Sequence, residues 1–319
     1  MLQYSNNNVL NNGNSRAQFG VDASDFTLEN ISLHNTTPHG GSQAESFRGN
    51  NNRILLNRVN LSSYQDTLML QGAALVTDSY IEGDVDFMWG NGAVFLQYTE
   101  LKALTSSGYY TQIRNGQGQN GYVFLNCTLS AANGVTGSYL ARIDPTVFPY
   151  SQVIYIKSLM GPQIIPAGWL LNNATTAPNV QFWEYQSYNL AGTAFLDVSQ
   201  RAPFSRQLSA PEAAQWSDPG FVLGGWVPYT VNITTSTVAV GGSVTIDYSA
   251  ASGHNTKDTI GLFLVGDPNS NVLSPRSIGS TTTGQIGITV PARAGQYEVR
   301  YILSDGVTVA AKSNVLTVQ

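Results

Sequence analysis

Charge and cysteine are the scarce commodities of this sequence. Only 11% of its 319 residues are charged, and 15 Lys and Arg against 20 Asp and Glu leave a net charge of −5. With no Lys/Arg cluster, nothing offers the basic stripe of a nucleic-acid groove. The single cysteine, Cys127, excludes an intramolecular disulfide framework and is expected as a buried, inert thiol. The three histidines, His34, His39 and His254, lack zinc-ligand spacing; they are expected at the surface, and no metal is expected. No apolar run reaches the ~18 residues of a membrane span. The opening, "MLQYSNNNVLNNGNS", has neither the basic nor the apolar region of a secretory leader. A Gly-x-Ser-x-Gly elbow is also missing, which argues against a Ser-His-Asp esterase.

What is present is an irregular repeat. The runs "FTLENISL", "ILLNRVNL", "ALVTDSYI", "VFLQYTEL", "VFLNCTL" and "VIYIKSLM" each start apolar, turn polar or small, and close on an apolar residue. Those closing residues are Leu33, Leu61, Ile81, Leu101, Leu129 and Met160, in steps of 28, 20, 20, 28 and 31. Helical periodicity is absent. Short strands returning at such intervals, with Gly/Asn/Ser loops of variable length, predict the stacked coils of a parallel β-helix. Asn57, Asp78 and Asn126 are then expected in turns or ladders. After residue 200 the pattern fades into a wrapping tail with a short helix. From about Tyr229, "STVAVGGSVTIDYSA", "TIGLFLVG", "GQIGITVPA", "GQYEVRYILSDG" and "NVLTVQ" predict a second, smaller β-sandwich. The chain is therefore read as all-β, with domains at 1–228 and 229–319.

Two aspartates interrupt these apolar runs: Asp66 in "SSYQDTLML" and Asp86 in "EGDVDFMWG". Each lies five residues after a closing position, so they occupy equivalent places on consecutive coils. At a strand spacing of ~4.7–4.9 Å their carboxyls should stack side by side. Two like charges so close resist double ionisation, so one can serve as an ionised nucleophile and the other as a protonated acid. A solvated pair, or one holding a cation, is the structural alternative. Spacing alone does not separate ester from glycoside chemistry. Gln65 offers an amide beside Asp66, and Phe87 and Trp89 are expected to wall the pair from water.

Four motifs carry a family resemblance over roughly residues 5–228. "SSYQDTLML" resembles the Gly-Tyr-Gln-Asp-Thr-Leu motif of pectin methylesterases, and "GDVDFMWG" their Asp-Phe-Ile-Phe-Gly. "GGSQAESF" matches the loop carrying Gln-Ala-Val-Ala-Leu, and "GSYLARID" stands in place of Tyr-Leu-Gly-Arg-Pro-Trp. The resemblance implies a right-handed parallel β-helix and a secreted enzyme that demethylates pectin without a cofactor. It further implies Asp86 as nucleophile, Asp66 as general acid and base, Gln43 and Gln65 as oxyanion donors, and Arg142 as the residue orienting Asp86. Gln112, in "YYTQIRNG", corresponds to the family's Thr-Ala-Gln stretch and is expected to touch substrate, as is Trp89.

The departures from the family pattern are equally specific. Asp144 stands where the family has a tryptophan lining the sugar subsite, and Ala141 replaces the motif's glycine. Phe148, Tyr150, Trp89 or Trp169 are candidates to supply the missing surface. The family's early Gly-x-Tyr-x-Glu segment is not found, so the first coils are expected to be missing. The second domain resembles Ig-like modules and shows no catalytic constellation. The expected partner is methylated polygalacturonate, met by a monomer with no membrane or nucleic-acid partner. Two alternatives remain: a related esterase on a non-pectin ester, and a non-catalytic carbohydrate-binding or scaffold protein. A polygalacturonase would need an acidic cluster and a catalytic histidine motif that the sequence lacks.

Overall fold

The computed structural model describes residues 1–251 and 254–319. The chain divides into two compact units, Met1–Trp226 and Val227–Gln319. Among the described residues no helix is long and apolar enough to cross a membrane.

The first unit is a parallel β-helix of three sheets with eight, seven and eight strands. Its first sheet contains every register residue read from the sequence. Leu33 pairs with Leu61, Leu61 with Ile81, Ile81 with Leu101, Leu101 with Leu129 and Leu129 with Met160. All six point into the helix and are buried. The unequal sequence steps are absorbed by loops outside the stack.

The corner leading into this sheet is built by left-handed residues. Asn30, Arg58, Asp78, Tyr98, Asn126, Lys157 and Gln186 all have φ of 49–55°. Asn and Asp tolerate that region best, which accounts for Asp78 and Asn126. Asn57 instead ends a third-sheet strand, Ile54–Asn57, and its amide donates to Glu29 Oε1 at 3.0 Å in the preceding coil. One residue past each corner, Val59, Ser79 and Cys127 fill equivalent buried positions. Burial pushes the Cys127 thiol up to about 12, so it stays protonated and inert.

Aromatic rings fill the later coils. Phe124 stacks on Tyr155 at 4.4 Å, and Trp169 on Phe182 at 4.9 Å. Trp169 is thereby committed to the core and offers no surface to a sugar. The tail beyond residue 200 contains the expected short helix, Ala210–Trp216, whose Glu212 accepts from the Ser209 backbone N–H at 2.8 Å.

The second unit consists of two sheets. In the three-stranded one, Ser243–Ser249 pairs antiparallel with Thr230–Ile233 and Thr283–Thr289. The larger one is built around Thr259–Leu264 and Gly295–Ile302, also antiparallel. One expectation fails here: His254 is buried, not exposed. Its two ring nitrogens lie 3.1 Å from the carbonyls of Asn255 and Thr281, so its ring N–H has a carbonyl partner in place of water.

Gly90 ends the strand that carries Trp89. Its φ is +135°, and an added Cβ would fall 2.1 Å from the Leu70 carbonyl oxygen on the neighbouring coil. Gly90→Ala should therefore lower unfolding stability by about 2–4 kcal/mol in denaturant titration. Parental stability in this variant would contradict the close coil contact.

Candidate active site

The site forms along the second sheet, where each coil contributes one strand. Arg48 pairs with Met69, Met69 with Trp89 and Trp89 with Gln112. Arg142 follows on the next coil, because its neighbour Ala141 pairs with Thr111. Residues on either side of this ladder, such as Leu68, Leu70, Met88 and Ile113, belong to the core. Strand alternation thus turns Arg48, Trp89, Gln112 and Arg142 to the outer face.

Asp66 and Asp86 sit at the entry to that sheet. Gln65 bridges Val85, and the Asp66 N–H donates to the Val85 carbonyl at 3.1 Å, so the two aspartates occupy matching places on adjacent coils. Both are left-handed, with φ of 67° and 48°. Both are almost wholly buried, at 7% and 4% exposure.

Their partners differ. Arg142 clamps Asp86 through two bonds, Nε to Oδ1 at 2.8 Å and Nη2 to Oδ2 at 2.6 Å. Gln112 Nε2 adds a third to Oδ2 at 3.1 Å. This bidentate fork fixes both distance and plane of the carboxylate. The Arg142 guanidinium in turn lies 4.1 Å from the centre of the Tyr109 ring. Asp66 receives a single guanidinium bond, from Arg16 Nη2 to Oδ2 at 2.8 Å. Burial, followed by the nearby Glu45 carboxylate, raises Asp66 to about 7, with Arg16 opposing and Asp86 reinforcing the rise. At neutral pH Asp66 is therefore partly protonated and able to donate.

The remaining expected residues divide. Trp89 lies on the site, ringed by the guanidiniums of Arg114, Arg16 and Arg48 at 4.8, 5.4 and 5.7 Å. Gln43 and Gln65 are half-buried; Gln65 directly precedes Asp66 and its carbonyl accepts from the Ala44 N–H at 3.1 Å, while Gln43 Oε1 accepts from Ser42 Oγ at 3.0 Å. Gln112 is bound to Asp86 and accepts from Arg114, so it supports the carboxylate directly. Phe87 is a correction. It is fully buried against Tyr110 in the core, because the left-handed turn at Asp86 sends the following side chain inward. Asp144, at the place of the family's tryptophan, has its carboxylate engaged locally, accepting from Thr146 and, at 2.7 Å, from Asn173. It caps its own loop and does not join the buried carboxyls.

Sequence reasoning missed Arg16, Glu45, Arg48 and Arg114. Extending the ladder one coil back from Met69 would have reached Arg48; Arg16 lies in a short 3-10 turn, Gly13–Arg16, that carries no repeat signal.

The profile of the Pectinesterase family matches residues 5–224. The chain belongs to the pectinesterase family. It is 32% identical over 207 residues to pectinesterase 31 of Arabidopsis thaliana, covering 63% of this chain and 62% of that protein. Pectinesterase 2 of Olea europaea is 28% identical over 225 residues, covering 65% and 59%. The chain thus spans about three fifths of the length of these curated relatives. Among solved structures, carrot pectin methylesterase superposes with a TM-score of 0.61 at 25% identity, covering 70% of this chain and 73% of that one. The deglycosylated Aspergillus niger pectin methylesterase gives 0.60 at 26%, covering 70% and 71%.

The raised Asp66 has a consequence for stability. An unfolded aspartate loses its proton near ~3.9, whereas the native one holds it to about 7. The folded state binds more protons across that window, so this group's contribution to stability is full below about pH 4 and is lost as pH rises to about 7. Asp66→Asn, which cannot ionise, should gain on the parent by on the order of a few kcal/mol between pH 4 and about pH 7.5. Denaturant titrations at the two pH values test this; parallel pH dependence in both proteins would refute it.

Proposed function

We propose that this chain is a carboxylic ester hydrolase that removes methyl esters from pectin, giving pectate and methanol. The observation that carries the reading is the unequal aspartate pair: Asp86 clamped by Arg142 and Gln112, and Asp66 buried beside Glu45. Membership of the pectinesterase family supports the substrate class.

In the first half-reaction an Asp86 carboxylate oxygen attacks the ester carbonyl of a methylated galacturonate. The Gln43 and Gln65 amides donate to the oxyanion that develops. Asp66 gives its proton to the departing methoxy oxygen, releasing methanol and leaving an anhydride between Asp86 and the sugar. In the second, ionised Asp66 takes a proton from water as the water oxygen attacks the sugar carbonyl. The anhydride bond breaks, Asp86 leaves as a carboxylate, and the product acid loses its proton to solvent. Arg142 keeps the nucleophile aimed throughout, while Trp89 and its guanidinium ring supply a flat, cationic wall suited to a uronate chain.

We read the enzyme as a secreted monomer. The second unit is proposed to be an Ig-like module joined at residues 228–229, its two sheets supporting that reading. Limited proteolysis should then cut first near this junction and leave two resistant fragments; early cleavage inside the second unit would oppose it.

The deciding assay is methanol release from highly methylated pectin by the full chain. Asp86→Asn should lower kcat/KM by at least ~10³-fold while retaining the parental circular dichroism. Gln65→Ala should cost about 10²–10³-fold, chiefly in kcat. A folded parent that releases no methanol would defeat the proposal.

A further inference from the structure

The nearest polar neighbours of Asp66 form a chain of charges whose bearing on Asp66 itself the esterase reading does not use. Arg16 Nη2 lies 2.8 Å from both Glu45 Oε1 and Asp66 Oδ2, bridging the two carboxyls. Its Nε donates to both Glu45 oxygens, at 2.8 and 3.0 Å. Arg48 Nη1 approaches Glu45 Oε1 from the other side at 3.3 Å, and is itself held by Asn14 Oδ1 at 2.7 Å. The Glu45 side chain is 0% exposed and that of Arg16 11%. Removing such charges from water is costly, and an apolar pair of similar volume usually serves stability as well or better.

We propose that Arg16 and Glu45 are positioning residues for Asp66: Arg16 holds the Asp66 carboxyl in its reactive orientation, and Glu45 fixes Arg16 and compensates its charge. The inference rests on the esterase reading of Asp66. Arg16 alone beside Asp66 would hold it as a carboxylate and deprive the first half-reaction of its acid. Glu45 alone would leave an unpaired buried anion and an unaimed acid. Together they supply a fixed donor to one Asp66 oxygen at little net charge. The other charged groups facing Asp66 are Asp86 on the next coil and Arg114 across the sheet, with Arg48 behind Glu45. Arg16 meets the reaction at the Asp66 carboxyl, and Glu45 reaches it only through Arg16, so the test is read at Asp66 itself.

Charge reasoning makes the two residues act in opposite senses, which a general loosening of the site would not do. In the full chain, Asp66 titration can be followed by carbon NMR of labelled aspartate carboxyls, assigned with Asp66→Asn. Glu45→Gln should lower the Asp66 midpoint by about one pH unit and Arg16→Met raise it by a similar amount. The alkaline limb of kcat/KM for methanol release should move with it. The double variant should return toward the parent midpoint. Arg16→Lys, which keeps charge but loses the fork, should hold the midpoint and lower kcat.

Shifts of the same sign in both single variants, or no shift in either, would overturn the inference. Should Glu45→Gln fail to fold, a downward or absent shift in Arg16→Met overturns it alone. A folded parent without methanol release would remove the esterase reading itself, whereas an unmoved Asp66 in an active parent removes only this pair's role.

Discussion

The parallel register between coils is the constraint on which everything else in the first unit depends. Each strand's neighbours are its counterparts one coil before and after, so sequence positions 20 or more residues apart become adjacent in space. A slip of one residue would turn every inward side chain outward. The buried file from Leu33 to Met160 prevents that slip, since each member would have to leave the core. The same register that lines up these apolar residues lines up Asp66 with Asp86, and delivers Gln112 and Arg142 from the following coils.

A chain so sparing with charge nonetheless gathers Arg16, Arg48, Arg114 and Arg142 around Glu45, Asp66 and Asp86. Buried charges persist only when each has partners, and here they are shared. Arg142 and Gln112 are devoted to Asp86, whereas Arg16 divides its hydrogen bonds between Asp66 and Glu45. That asymmetry sets two chemically identical side chains apart: Asp86 is held by three bonds from Arg142 and Gln112, whereas burial and Glu45 favour the protonated form of Asp66.

Much of this was legible in the residues. The closing positions of the repeat predicted the first sheet's pairing residue by residue, because interior positions of a solenoid must be apolar in every coil. The equivalence of Asp66 and Asp86 followed from the same register. Arg142 was reached only through the family motif, as nothing local marks a partner 56 residues from Asp86. Phe87 was misplaced because strand alternation does not hold across a left-handed corner. His254 was misread because a histidine's burial depends on carbonyls from distant segments, such as that of Thr281.

By itself, then, the sequence determined the solenoid, its register and the paired aspartates, since these follow from periodic burial, which each coil repeats. Only the tertiary structure decided how the pair is differentiated. Arg16 comes from an irregular turn, Glu45 from a loop and Arg142 from a coil beyond the next, and no period relates them. Their effect on Asp66 and Asp86 depends on distances of about 3 Å and on exclusion of water, neither of which a pattern of residue types encodes.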